Sequence, residues 1–249
     1  MKSETTNIIE VKNLTKSYGD LVVINDLSFS IKYGEIFFFA GGSGCGKSTV
    51  LKQLIGLETP DRASITIDKK DFFDNQTELT KEFGVLFQSG GLFASMTLAE
   101  NIAVVYKKFT KLNDNVISDM IDMKLSSVGL SGFRDYLPSE ISGGMKKRAA
   151  IARAMALDPK ILFLDEPSSG LDPISSAEID DLIKELNTSL GITMVIISHD
   201  LSSIFNIANQ VLLLDKSVKG QLEIGTPEQL KNSVNEKVRN FFRRNIDFE

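Results

Sequence analysis

"FFFAGGSGCGKSTVLKQLIGL", residues 37–57, sets three phenylalanines directly against a cluster of glycines, then a lysine, two hydroxyls and an apolar run at helical spacing. Glycine has no Cβ, so its backbone N–H can approach a ligand closely, and Gly41, Gly44 and Gly46 fit such a loop. The spacing predicts a helix from about Lys47 to Leu57. Its start carries unpaired N–H donors and the positive end of the helix dipole, which suits an anion. Gly41 to Ser48 fits G-x-x-x-x-G-K-[ST], a loop in which the lysine reaches the β- and γ-phosphates of a nucleotide and the serine hydroxyl binds Mg²⁺. An ordinary strand–turn–helix joint is the weaker reading, because strand and helix fall where the motif requires them.

Length and charge bound the rest. The chain has 249 residues, 42% of them hydrophobic, enough for a large core in one domain or in a domain with inserted parts. A net charge of −5 argues against a nucleic-acid surface. The single cysteine, Cys45, excludes an internal disulfide and suits a reducing compartment; its place inside the loop favours a structural or incidental role over catalysis. No apolar run approaches a membrane span and "MKSETTNIIE" has no apolar leader segment, so a cytoplasmic protein is expected unless a partner holds it at a membrane.

Segments of alternating polarity come first, around Ile8 to Leu14, Leu21 to Ile31 and Ala63 to Ile67, and read as antiparallel strands with one wet face. Later the runs "ILFLD" (161–165), "TMVIIS" (193–198) and "VLLLD" (211–215) are continuously apolar, as in strands buried on both faces of a parallel sheet. Between the first two lies a helical pattern from Ser175, with Ile179, Leu182, Ile183 and Leu186 on one face and Gly191 as its stop. From about Ser89 to Leu157 helical patterns dominate, which predicts an α-helical insertion in an α/β core.

"ILFLDEP" ends an apolar strand in two carboxylates at the sheet edge where open α/β sheets bind ligands. Asp165 suits Mg²⁺ held through its water shell, and Glu166 suits a general base for water. "SEISGGMKKRAAIARAMALDP" opens a second helix on Ser142, Gly143 and Gly144 and runs to about Leu157, a second anion site. Two such sites and one lysine loop are reconciled if two copies face each other head to tail, each nucleotide lying between one copy's lysine loop and the other's serine–glycine turn.

The sequence resembles the ATP-binding subunit of an ABC transporter over nearly its whole length: Gly41 to Ser48 resembles Walker A, Ile161 to Glu166 Walker B, and "ISGGM" the signature. The resemblance implies an α/β P-loop NTPase fold with a parallel-sheet core, an N-terminal antiparallel β subdomain and an inserted helical subdomain at about 89–157. It implies an ATPase domain over 1–234, with 235–249 as a tail and possible docking segment. It implies ATP and Mg²⁺ as ligands. Gly41, Gly42, Ser43, Gly44, Cys45, Gly46, Lys47, Ser48 and Thr49 are expected to bind the nucleotide, with Ser48, Asp165 and Gln88 at the metal. Tyr18 in "KSYGD" resembles the aromatic that stacks on adenine, though alone it reads equally as a half-buried strand residue. Gln88 in "VLFQSGG" resembles the glutamine that senses Mg²⁺ and water at the hinge to the helical subdomain. Asp172 in "SGLDP" resembles the aspartate that crosses the dimer interface, and His199 the switch histidine at the γ-phosphate.

Three positions depart from the family pattern: Met145 stands where glutamine is usual, Gly42 where proline is common, and "DRASITIDKKD" lacks a glycine near Ala63, leaving that turn open. "FQSGGLFASMTLAENIA" and the tail "VNEKVRNFFRR" are similar to ATPases of lipid-asymmetry (Mla) transporters, which move phospholipid or other hydrophobic substrates across the Gram-negative envelope. That resemblance implies a subunit peripheral to the cytoplasmic face of the inner membrane, a homodimer with shared ATP sites, integral membrane permease partners, no nucleic acid, and an accessory subunit at the tail. The segment Ser89 to Ile102 would face the permease, while Leu92, Phe93, Met96 and Leu98 read equally as core. The adjacent Phe241 and Phe242 suggest docking on a neighbour, against a solvated helix end. An importer ATPase for a small polar solute is the alternative, and a soluble ATPase acting on ribosomes or DNA a more distant one.

Overall fold

The computed structural model describes residues 6–243. The chain opens with β1 (Asn7–Tyr18), β2 (Leu21–Lys32), β3 (Ile36–Gly41) and α1 (Lys47–Leu54), then β4 (Arg62–Ile67), β5 (Lys70–Asp71), the short α2 (Gln76–Leu79) and β6 (Phe83–Leu86). Three helices follow, α3 (Leu98–Phe109), α4 (Asp114–Ser127) and α5 (Gly143–Ala154). The second half runs β7 (Ile161–Asp165), α6 (Pro173–Leu190), β8 (Thr193–Ile197), α7 (Leu201–Ile207), β9 (Gln210–Asp215), β10 (Gly220–Gly225), α8 (Pro227–Lys231) and α9 (Glu236–Arg243).

Two sheets result, one in the order β2-β1-β4-β5 and one in the order β10-β9-β3-β8-β7-β6. In the first, every pairing is antiparallel; in the second, β9, β3, β8, β7 and β6 are parallel and β10 returns antiparallel at the edge. β3 lies central and is buried throughout, as a strand covered on both faces must be. Its period of two divides the core: Phe37 and Phe39 face the antiparallel sheet and α1, while Ile36, Phe38 and Ala40 face the helices. Phe29 of β2 packs on both of the former, edge-on to Phe39 with ring centres 5.2 Å apart.

The expected strands and helices are present, with informative differences. α1 stops at Leu54 because Gly56 takes a left-handed φ of 75° and the Gly56 and Leu57 amides return to the Gln53 and Lys52 carbonyls. α5 likewise stops at Ala154, short of Leu157. β6 and β10 were hidden in the sequence, β6 being four residues long and β10 only half-buried in the pattern. No glycine is needed at Ala63, which lies inside β4, where Arg62 pairs with Thr15; the turn follows at Asp68 and Lys69, both left-handed.

The tail departs from expectation. Val238 and Phe242 of α9 are fully buried in this chain's own core, Phe242 edge-on to Phe205 of α7. Arg239 and Arg243 donate to the Ser233 and Lys231 carbonyls, closing α9 onto α8. The ring pair therefore needs no partner to cover it; only Phe241 stays half-buried. Arg244, and the chain beyond it, lie outside the described residues, as do residues 1–5. Phe242→Ala should cost about 3–5 kcal/mol of stability, measured by denaturant unfolding of the full chain, whereas Phe241→Ala should cost clearly less. Equal small losses for both would mean that α9 is not packed on the core.

Candidate functional site

The site forms where β3, β7 and β8 end together. Phe39 and Asp165 both lie opposite Ile197, so the loops starting at Gly41, Glu166 and Ser198 leave the sheet at one level. Gly41 has a φ of 143°, and a Cβ there would come within 2.3 Å of the Leu214 carbonyl oxygen and 2.7 Å of Cys45 Sγ. Only glycine fits. At Gly42 and Gly44, in contrast, a Cβ would meet nothing within 4 Å, so the loop presents bare backbone to open space. Lys47 Nζ crosses this opening and donates to the Gly41 carbonyl at 2.7 Å and the Gly42 carbonyl at 3.1 Å. Cys45 is buried behind the loop, while Ser43 and Ser48 are exposed and Thr49 is half-buried. Backbone donors, an ammonium and two exposed hydroxyls make a cradle fitted to phosphate oxygens.

Across from it, Asp165 ends β7, and burial with the Glu166 charge beside it pushes its carboxyl up, opposed by Lys47 and Lys147. Glu166 adopts a left-handed φ of 50°, uncommon outside glycine and asparagine. Its amide still donates to the Ile197 carbonyl at 2.9 Å, so the strand ladder holds it through the turn. The carboxylate, nearly buried, meets His199 with Oε1 2.7 Å from Nδ1, and the His199 ring is itself exposed. A carboxylate oriented by an imidazole at the mouth of a phosphate cradle has the chemistry of a water-activating base.

The other expected residues are spread around this centre. Tyr18 is 45% exposed at the end of β1, its hydroxyl on the Glu58 carboxylate, which also accepts from Lys52 of α1 at 2.9 Å. Its ring thus stands beside the helix that the cradle opens. Gln88 is exposed in the loop after β6. Ser142 caps α5, Oγ accepting from the Met145 amide at 3.2 Å. A Cβ at Gly143 would meet Leu171 and one at Gly144 would meet Ser175, so the second glycine turn sits beside the loop after β7 and the start of α6. Asp172, exposed, caps α6, its Oδ1 accepting from the Ile174 and Ser175 amides at 3.1 and 3.0 Å; the Ser175 hydroxyl, donating to Oδ2 at 2.6 Å, and after it the amide bonds hold its carboxyl below the usual range.

Residues the sequence left unassigned also shape the site. Lys147 of α5 donates to the Gln88 carbonyl at 2.9 Å and to the Glu166 carbonyl at 3.2 Å. Burial pushes its ammonium down, with Glu166 and Asp165 opposing. Asn101, fully buried, accepts from the Phe93 amide and donates to the Phe93, Met96 and Thr97 carbonyls, folding the segment ahead of α3. That segment splits the apolar residues whose place was open: Leu98 is core, Leu92 and Met96 are half-buried, and Phe93 is exposed beneath the Arg153 guanidinium, 4.9 Å from its centroid. A charged or amide residue among apolar helical neighbours was the available signal for both.

A family profile described as ABC transporter matches residues 24–169. Among curated proteins, the chain is 41% identical over 97% of its length to the "Intermembrane phospholipid transport system ATP-binding protein MlaF" of Haemophilus influenzae, covering 92% of that protein. It is also 41% identical, over 94% of its length, to the "Probable ribonucleotide transport ATP-binding protein mkl" of Mycobacterium leprae, covering 68% of that one. Among solved structures, it superposes with a TM-score of 0.77 and 27% identity on a dimeric post-hydrolysis state of the ATP-binding cassette MJ0796 bound to ADP and Pi, covering 88% of this chain and 98% of that one.

An acid whose pKa is raised by folding holds its proton more tightly in the native state, so its ionised form opposes folding above the native pKa and the opposition fades as pH falls through it. Asp165→Asn should therefore raise the melting temperature of the ligand-free chain at pH 7, with the gain shrinking as pH is lowered through the carboxylate range. An unchanged or lower melting temperature at pH 7 would overturn the buried-charge account.

Proposed function

The chain belongs to the ABC transporter family as an ATP-binding, ATP-hydrolysing subunit, and from that premise we propose that it drives a membrane-embedded permease for phospholipid from the cytoplasmic face of the inner membrane. The observation that carries the catalytic part is the meeting of Glu166, His199 and the lysine cradle at one sheet edge.

In this reading the amides of Gly41 to Thr49 and the Lys47 ammonium bind the triphosphate. The exposed face of Tyr18 takes the adenine. Ser48, Asp165 and Gln88 hold Mg²⁺, which offsets the phosphate charge when bound. Glu166 orients and deprotonates the attacking water, and His199 fixes the carboxylate and faces the γ-phosphate. The fit of donors to anions supports these roles: hydroxyl, carboxylate and amide oxygens suit a hard divalent cation.

Ser142 and Gly143 are exposed, and the space a Cβ would take at Gly143 and Gly144 adjoins Leu171 and Ser175 rather than the lysine cradle, which supports their serving a nucleotide held by a second copy. Two copies then share two ATP sites, with the loop around Asp172 between them. Exposed Phe93 and the Ser89–Ile102 segment suit the permease contact. An accessory subunit at the tail could meet half-buried Phe241 and the exposed polar residues of α9, but not Phe242, which is occupied by this chain's own core. Phospholipid is favoured as cargo because the match extends over 92% of the MlaF relative but 68% of the mkl relative. Recovery of the native complex in vesicles carrying labelled phospholipid or labelled ribonucleotide separates the two cargoes by which label moves with ATP.

Glu166→Gln should keep ATP affinity while lowering turnover by about 10²- to 10⁴-fold, and with ATP it should convert to a dimer by light scattering. Adding Ser142→Arg should block that conversion by placing bulk and charge at the facing turn. Parent-rate hydrolysis by Glu166→Gln would remove Glu166 as the base; dimerisation despite Ser142→Arg would sink the shared site.

A further inference from the structure

Lys147 stands apart from the residues assigned above. It is 8% exposed, on the face of α5 that otherwise buries alanines and Ile151. A lysine so deep in a fold is ordinarily paired. Its ammonium is committed to two backbone carbonyls, that of Gln88 at 2.9 Å and that of Glu166 at 3.2 Å.

The two acceptors are not equivalent parts of the fold. Gln88 lies in the loop that leaves β6 for the helical subdomain, and Glu166 is the left-handed residue that leaves β7. The Glu166 carbonyl also accepts from the Ser169 amide at 3.2 Å, so the direction of its peptide is fixed from two sides. With the Glu166 amide held on the Ile197 carbonyl and its own carbonyl held by Ser169 and Lys147, the Cα that carries the carboxylate to His199 is tethered on both sides, and release of the carbonyl end frees that Cα to shift.

We propose that Lys147 is a positioning residue: it locks the hinge at Gln88 and the strained peptide of Glu166 to the helix that begins at Ser142, so that the carboxylate is aligned only while that helix is seated. The proposal rests on Glu166 being the base and on Ser142 to Gly144 meeting a nucleotide. Closure of a dimer on ATP and alignment of the base then become one motion, carried by a single helix. Lys147 touches no substrate in this account and acts through Glu166.

The test uses the full-length chain. Lys147→Met keeps the aliphatic stem and removes the donor. It should lower kcat by about 10- to 100-fold, as misplacement of a catalytic group does, while KM for ATP stays within about threefold. In the Glu166→Gln background the same change should leave ATP-driven dimerisation intact, so that the dimer closes and hydrolysis does not follow. Lys147→Arg retains donors for both carbonyls and should restore kcat to within about threefold of the parent. Where Lys147→Met gives no cooperative melt, Lys147→Leu, which also lacks a donor, is read with the same expectations. A folded variant with parental kcat overturns the proposal. So does a loss shared equally by KM, dimerisation and melting temperature, which marks a structural role. Glu166→Gln alone is the control: if it still hydrolyses at the parent rate, the reading of Glu166 has failed, not the geometry of Lys147.

Discussion

The site depends on one constraint, the parallel register of β3, β8 and β7. Because Phe39 and Asp165 both stand opposite Ile197, three chain reversals far apart in sequence begin at the same height: the glycine cradle after β3, the carboxylates after β7 and His199 after β8. Parallel strands need long crossovers, and here these are helical, so the site is assembled from loops that have no local contact to hold them together. A slip of one residue in β7 would turn every side chain of "ILFLD" to the opposite face and remove Asp165 from the edge. Burial of β3 on both sides, Phe37 and Phe39 against one layer and Phe38 and Ala40 against the other, makes such slips costly.

Holding the loops at one height concentrates strain there. Glu166 occupies a left-handed conformation that costs a non-glycine residue about 1–3 kcal/mol, and burial with the Glu166 charge beside it pushes the Asp165 carboxyl up. Neither arrangement helps the fold. Each is tolerated because the neighbours over-determine it: the Ile197 carbonyl takes the Glu166 amide, and Ser169 and Lys147 both bond its carbonyl. Function has displaced stability locally, while the cost is borne by a core that continues into α9 through Val238 and Phe242.

Much of this was legible in the sequence, for identifiable reasons. β3, β7, β8 and β9 declare themselves as unbroken apolar runs, and the cradle as glycines between a strand and a helix, because both patterns are local. β6 was lost because Gly84 interrupts it, and the reason lies elsewhere in the chain: a Cβ there would stand 2.3 Å from the Ala154 carbonyl oxygen, so α5 and β6 touch backbone to backbone. The left-handed Glu166 was illegible for a similar reason, since nothing in "DEPSSG" marks the peptide that must turn. The destination of Phe242 could not be read either. An aromatic pair beside arginines signals only that the rings need cover; which surface supplies it is decided by α7 and α8, folded from residues well upstream.

What unites the separate loops is α5. Its first turn carries Ser142 to Gly144, where a Cβ at either glycine would meet Leu171 or Ser175. Lys147 follows, bonded to the Gln88 and Glu166 carbonyls, and near its end Arg153 donates to the Gly91 carbonyl and covers the exposed ring of Phe93. A helix of 12 residues is about 18 Å long and stiff over that length. Under the proposed reading its start meets the nucleotide of a second copy, its middle orients the base of its own site, and its end touches the segment turned toward a permease. At its end Ala154 packs backbone to backbone on Gly84 of β6, which ties the same helix to the sheet that carries the site. On that reading α5 offers a chain with no helix long and apolar enough to cross a membrane among its described residues a mechanical path from phosphate chemistry to a surface that a membrane protein can cover.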